Sequence, residues 1–232
     1  NMFPDIHLEM EDIISSWAGL RPLIHEEGKS ASELSRKDEI FTSDTGLISI
    51  AGGKLTGYRK MAERTVNRIA QKMQEDHGME LPSSQTENIP LCGSNFKKFK
   101  QVKKYIAEIY ERIKDDGFSE YDAWYLVTTY GNQTELILEL YATQKQQDAY
   151  ERMIRAEAKF SIAHEMVLNP MDFFIRRTGR LYFDIESVKL FMEPVLDEFQ
   201  QAFAYTQEEI QSFKESLLYE LDSHSNFSLD RV

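Results

Sequence analysis

The sequence predicts an α+β chain, with a β-rich N-terminal segment followed by an all-α domain. Three observations carry that prediction. Residues 1–60 contain β-prone runs broken by glycine turns. From Leu55 onward the apolar residues Tyr58, Met61, Ala62, Thr65, Val66 and Ile69 recur at steps of three and four, the helical period. After about residue 97 the helical pattern continues, with no proline between Pro90 and Pro170. The stretch DHGMELPSSQTENIPLCGSNF between them carries two prolines, two glycines and three serines without periodicity, and reads as a linker. The expected division is therefore residues 1–75, a linker at 76–96, and a helical domain at 97–232.

Taken in order, Ile13–Ile24 is a long apolar stretch whose single charge, Arg21, precedes Pro22. Proline biases the residue before it to extended backbone, so a strand is expected here. Residues 40–43, then Asp44-Thr45-Gly46, then residues 47–50 spell a β-hairpin, and Ala51-Gly52-Gly53 ends its second strand. A helix follows. In the second half, Ser119 with Asp122 is a capping box and Gly131 a stop. Tyr150, Ile154, Ala158, Ile162 and Met166 form one apolar stripe. Asn169-Pro170 is a cap with proline at the first helical position, and Gly179 closes the short helix that follows. Val188, Phe191, Val195 and Phe199 continue the pattern past Pro194, where a kink or restart is expected, and Thr206 with Glu209 caps the last helix.

Composition narrows the function classes. The chain has 232 residues, 41% hydrophobic and 28% charged, as in an ordinary globular protein able to bury a core. Aromatics at 12% argue against disorder, and no apolar run approaches the roughly 18 residues of a membrane span. A net charge of −12 disfavours nucleic acid, whose phosphates need a basic surface. One cysteine, Cys92, allows no internal disulfide or cysteine-rich metal site, which suits a reducing cytoplasm. The opening NMFPDIHLEM lacks an initiator methionine and a helix start, and reads as a piece of a longer protein.

Few residues could carry chemistry. In AGGKLTGYRK, two glycines after a strand permit close backbone approach, the following helix aims its N–H groups and positive dipole end the same way, and Lys54 adds a full charge. The turn suits an anion, a phosphate or the electron-rich edge of a flavin; the plainer reading is a tight turn with an exposed lysine. Arg21 either pairs with a carboxylate or faces a cavity for an anionic substrate, and Arg36 sits beside Lys37, Asp38 and Glu39 like an ordinary solvated edge. His7, His25, His77, His164 and His224 show no metal-ligand spacing, and no metal is expected. His25 follows Arg21-Pro22-Leu23 and reads as a loop histidine. Lys97, Lys98, Lys100, Lys103 and Lys104 form a dense basic run, either a solvated helical face or a contact for anionic lipid headgroups. Arg176 and Arg177 are expected to pair with carboxylates such as Glu165.

The succession SWAGLRPLI, SRKDEI, hairpin and AGGKLTGYRKMAE resembles the C-terminal half of the FAD-dependent glycerol-3-phosphate dehydrogenases, flavoproteins of the D-amino-acid-oxidase type. RRTGRLYF at 176–183 resembles a segment of that family's helical C-terminal domain. The resemblance implies that residues 1–75 are the tail of an FAD- and substrate-binding domain. It implies that Arg21 and Arg36 hold the substrate phosphate, that Gly52, Gly53, Lys54, Leu55 and Thr56 meet the flavin, and that Lys54 also faces the substrate as a catalytic group. It further implies oxidation of sn-glycerol 3-phosphate to dihydroxyacetone phosphate, FAD as hydride acceptor and a quinone as final acceptor. The family's GxGxxG, a further substrate arginine and a catalytic histidine belong to an N-terminal half absent here, so the piece alone is expected to be inactive and to bind no FAD. The related oxidases, which reduce oxygen, carry an insertion between the R-P-L motif and the G-G-K turn. Only 30 residues separate Pro22 from Gly53, which favours the dehydrogenase branch.

The implied setting is cytoplasmic, peripheral at the inner face of the cell membrane. The alternative from another class is a helical docking or dimerisation module, residues 97–232, without chemistry of its own. Without its N-terminal half, the first segment is expected to expose Ile13, Trp17, Leu20 and Leu23 and to be mobile or to pair with a second copy.

Overall fold

The computed structural model describes residues 6–20 and 38–227, which form two units: residues 6–18 with 92–227, and residues 19–20 with 38–91. In the smaller unit, β1 (Asp38–Thr42) pairs antiparallel with β2 (Ile48–Gly52), Thr42 opposite Ile48. Ser43 N–H donates to Leu47 O at 2.9 Å, and Gly46 takes a φ of 87° in the turn. The expected hairpin is thus present with its glycine where positive φ is needed. A 3-10 turn, Leu55–Gly57, leads into α1 (Tyr58–His77). Gly78 stops α1 at φ 64°, with Gly78 N–H donating to Gln74 O and Met79 N–H to Met73 O, a left-handed glycine ending. No residue of β1, β2 or α1 is buried.

The larger unit holds α2 (Phe99–Ile113), α3 (Glu120–Tyr130), α4 (Thr134–Thr143), α5 (Ala149–His164), the short α6 (Pro170–Asp172), α7 (Arg180–Phe183), α8 (Ile185–Phe203) and α9 (Gln207–Ser225). A π-helical turn, Phe173–Arg177, follows α6. Both expected capping boxes are formed: Ser119 with Asp122 starts α3, and Thr206 with Glu209 starts α9. The Asn169 side chain accepts from Met171 N–H at 2.8 Å ahead of Pro170. Gly131 ends α3 at φ 59°, ψ −136°; a Cβ there would lie 1.9 Å from Gly93 O, so glycine is required on both conformational and steric grounds.

Two apolar cores share one helix. Ile109, Ile113, Leu126, Ile137 and Phe160 centre the first, and Phe173, Phe174, Leu181, Val195 and Phe199 the second. Helix α5 contributes Met153, Ala156 and Phe160 to one, and Ile154 and Ala158 to the other. Its apolar stripe is core in the middle, while Tyr150 and Met166 at the ends are 42% and 88% exposed.

Charged side chains bind the same helix to its neighbours. Glu157, fully buried, accepts from Tyr130 Oη at 2.8 Å and from Arg180 Nη2 at 2.8 Å. Arg180 also reaches Asp184 at 3.1 Å, and its guanidinium lies 4.8 Å from the Tyr125 ring. Arg155 joins Glu151, Asp197 and Glu198 at 2.9–3.0 Å and donates to Pro194 O at 3.2 Å. Burial works against the charge of Arg180, but Glu157, the tyrosines and Asp184 outweigh it and hold its pKa above the ordinary value.

Tyrosines packed in the helical unit set an alkaline limit. Burial first, then Glu157, raises the hydroxyls of Tyr125 and Tyr130; burial and Glu135 raise Tyr105; burial and Asp116 push Tyr141 up to about 12. A raised folded-state pKa means the unfolded chain ionises first, so this stabilisation is complete below about pH 10 and falls as pH climbs toward the folded-state values. Urea midpoints of the helical unit are expected to hold level to about pH 9.5 and drop between about pH 10 and 12. A midpoint that rises across that interval would contradict the assignment.

Two expectations are corrected. Over the described part of the proposed strand at 13–24, residues 13–20 join no sheet; a 3-10 turn at Met10–Asp12 precedes them. The segment docks on helix ends instead: Ser16 N–H donates to His224 O at 3.0 Å, Ser15 Oγ to Leu181 O at 3.2 Å, and Trp17 stacks on Tyr182 with centroids 5.0 Å apart. Ile13, Trp17 and Leu20 still expose 42%, 52% and 101% of their surface; Leu23 lies outside the described residues. At Pro194 there is no restart, since α8 runs through it from Ile185 to Phe203. Proline forfeits one helical hydrogen bond, and the packing of Val188, Met192, Val195 and Phe199 on both sides of it holds the helix together.

Candidate functional site

The glycine turn is built by the change from strand to helix. β2 ends at Gly52 (φ 78°) and Gly53 follows at φ 85°, two left-handed residues in succession. At Gly53 the requirement is also steric, because a Cβ would fall 2.7 Å from Met61 Sδ and 3.2 Å from Asp38 Cβ. The strand end is thereby pressed onto α1, and Arg64 of α1 pairs with Asp38 of β1. Lys54 returns to extended backbone (φ −103°, ψ 145°), and its carbonyl accepts from Gly57 N–H at 2.8 Å.

Lys54, Leu55 and Thr56 are all exposed, Leu55 at 89%. Neither the 3-10 turn nor α1 has a side-chain cap, and neither has an acidic residue in its first turn. Among the described residues Lys54 has no ion pair. The positive end of the helix and a free ammonium therefore act together, with no nearby carboxylate of the turn to cancel them. Beside them runs a groove of about 650 Å³ lined by Ile50, Gly52, Gly53, Lys54, Tyr58 and Val66, among others. An apolar floor with cationic and N–H groups at one edge suits a flat apolar body carrying an electron-rich or anionic edge. That is the chemistry of a flavin ring, and the turn fits it.

The structure thus brings Gly52, Gly53, Lys54, Leu55 and Thr56 into one turn. Arg21, Arg36 and His25 lie outside the described residues. Arg177 Nη2 donates to Glu165 O at 3.0 Å with the Glu165 carboxylate 3.8 Å from Nε, and Arg176 pairs with Asp172. Sequence reasoning passed over Glu157 and Arg180. The available signal was Glu157 itself, a charge set between Ile154 and Ala158 inside an apolar stripe. Among the described residues no cluster of three metal-ligating side chains occurs, and no helix is long and apolar enough to cross a membrane.

Residues 84–210 match the family model described as the C-terminal domain of alpha-glycerophosphate oxidase. The chain belongs to this family. It is 42% identical over 219 residues to the aerobic glycerol-3-phosphate dehydrogenase of Bacillus subtilis strain 168, covering 93% of this chain and 40% of that relative. To the enzyme of the same name from Staphylococcus saprophyticus it is 39% identical over 222 residues, 95% of this chain and 40% of the relative. The glycerol-3-phosphate dehydrogenase of Bacillus halodurans, solved by X-ray crystallography in complex with FAD, superimposes with a TM-score of 0.77 at 36% identity, covering 98% of this chain and 44% of that one. The chain therefore spans about two-fifths of the length of the curated relatives it matches.

Proposed function

We propose that this chain is the C-terminal part of an FAD-dependent dehydrogenase that oxidises sn-glycerol 3-phosphate to dihydroxyacetone phosphate. The observation that carries the reading is the Gly52-Gly53-Lys54 turn, with two left-handed glycines entering an uncapped, carboxylate-free helix start beside an exposed lysine. The names and the FAD complex of the relatives support it. FAD, when bound, supplies the acceptor for the hydride leaving C2 of the substrate.

The chain's own residues bind and orient. Gly52, Gly53, Leu55 and Thr56 present backbone and a flat apolar edge to the cofactor, and Lys54 supplies positive charge where negative charge gathers. Arg21 and Arg36 hold the phosphate dianion, for which the planar guanidinium fork is well shaped. Five exposed lysines between Lys97 and Lys104 favour a peripheral position at the inner, anionic face of the cell membrane, where a quinone takes the electrons. A second copy of the chain is the further partner proposed, over apolar side chains such as Phe41 and Val66, which are 46% and 56% exposed. Along the sequence the proposed division is 1–75, 76–96 and 97–232, with residues 6–18 of the first part packed on the helical unit. Limited proteolysis is expected to cut in the exposed stretch between Pro82 and Leu91 and leave a resistant helical piece of about 140 residues. Survival of the first segment with loss of the helices would overturn that division.

The test of function is steady-state turnover of the chain joined to its N-terminal half. Substrate-dependent reduction of a soluble quinone without hydrogen peroxide is expected; peroxide formation at a matching rate would mark an oxidase instead. Arg21→Ala is expected to lower kcat/KM by about 10- to 100-fold, chiefly through KM, from loss of a charge-assisted phosphate contact. Unchanged kinetics at subsaturating substrate would remove Arg21 from the site.

A further inference from the structure

On the helical unit, α3, α5, α7 and α8 surround a cleft of about 590 Å³, within the range that small organic ligands fill. Its walls carry six aromatic side chains, Phe118, Tyr121, Tyr125, Tyr150, Phe183 and Phe191. Its charges are mostly negative. Arg180 is its one lining cation, and is already engaged by Glu157 at 2.8 Å and Asp184 at 3.1 Å. Glu186 is taken by Lys189 at 2.7 Å.

Two carboxylates remain. Asp122 and Asp148 line the cleft, and among the described residues neither has an ion pair. Both stand at helix starts: Asp122 accepts from Ser119 N–H at 2.7 Å, and Asp148 accepts from Glu151 N–H at 2.7 Å. The Tyr150 hydroxyl donates to Asp122 at 3.1 Å and is raised in pKa by burial first and then by Asp122 and Asp148. The Tyr150 ring lies 4.7 Å from that of Phe118, so two negative charges border an aromatic pair. The Tyr125 hydroxyl, beneath the same lining, is buried toward Glu157 and Tyr130 rather than open to the cleft, and its ring gives the cleft a further aromatic wall.

We propose that this cleft binds a small organic cation, an alkyl or arylalkyl ammonium whose head lies between Asp122 and Asp148 and whose apolar body packs on the aromatic walls. Carboxylates and ring faces both attract an ammonium, and the same carboxylates repel phosphates and carboxylates. The proposal does not depend on the reading of the glycine turn.

Calorimetric titration of the 232-residue chain with 4-phenylbutylamine, 4-phenylbutanol and 4-phenylbutyrate tests it. The three probes share a body and differ in charge. The amine is expected to bind about tenfold or more tighter than the alcohol, and the acid not at all. Asp148→Asn keeps a helix cap of equal quality and is expected to abolish the preference for the amine; Asp122→Asn is expected to do the same, with thermal melts confirming that both variants fold. If Asp122→Asn does not fold, Asp148→Asn alone decides. Equal affinity for amine and alcohol, an undiminished preference in Asp148→Asn, or no binding of the amine at millimolar concentration would each overturn the proposal.

Discussion

Replacing Glu157 by glutamine is expected to cost the helical unit about 3–5 kcal/mol, because it removes one partner of a buried ion pair and leaves the other charged and enclosed. Arg180 keeps Asp184 and the Tyr125 ring, but loses its fully buried counter-ion, and the hydrogen bond from Tyr130 weakens with the charge. The penalty falls where α3, α5 and α7 meet, at the helix shared by both cores, so local relief is small. Urea unfolding should show the midpoint falling sharply at an unchanged slope. The double variant Glu157→Gln with Arg180→Met should recover part of the loss, since an apolar replacement needs no counter-charge. A single-variant cost below about 1 kcal/mol would mean that water reaches this pair.

Lys54→Ala carries the largest kinetic effect. In the dehydrogenase proposed above, it is expected to lower kcat by about 10²–10³ while the protein folds normally, the effect of removing one preorganised charge from a site where negative charge develops. The side chain is exposed and unpaired among the described residues, so stability should not move. Lys54→Arg, which keeps the charge, should restore part of the rate. Retained kcat in Lys54→Ala with all loss in KM would make the lysine a binding group only.

Much of the architecture was legible where a local rule is sufficient. The hairpin, the strand-to-helix turn, both capping boxes and the Asn169-Pro170 start each follow from a few adjacent residues whose hydrogen bonds close within the same segment. Reading failed where the deciding partner is distant. An apolar run such as Ile13–Leu20 is a strand only if another strand accepts its hydrogen bonds, and here Ser16 finds His224. Pro194 looks like a break until its flanks are known to be buried. In the candidate site, the glycines and Lys54 declared themselves through spacing. Glu157 and Arg180 did not, because they lie 23 positions apart and each alone resembles a charge on a helix surface.

The docking of Ser16 on His224 has a consequence for the order in which the molecule is made. The two residues are 208 positions apart, and synthesis at about 5–20 residues per second separates them by roughly 10–40 s. For that interval Trp17 emerges from the ribosome with neither Tyr182 nor the C-terminal end of α9 yet available. The earliest apolar residues of this segment must therefore wait, uncovered, for the latest helix, and the larger unit can close only after nearly all of the chain has been translated.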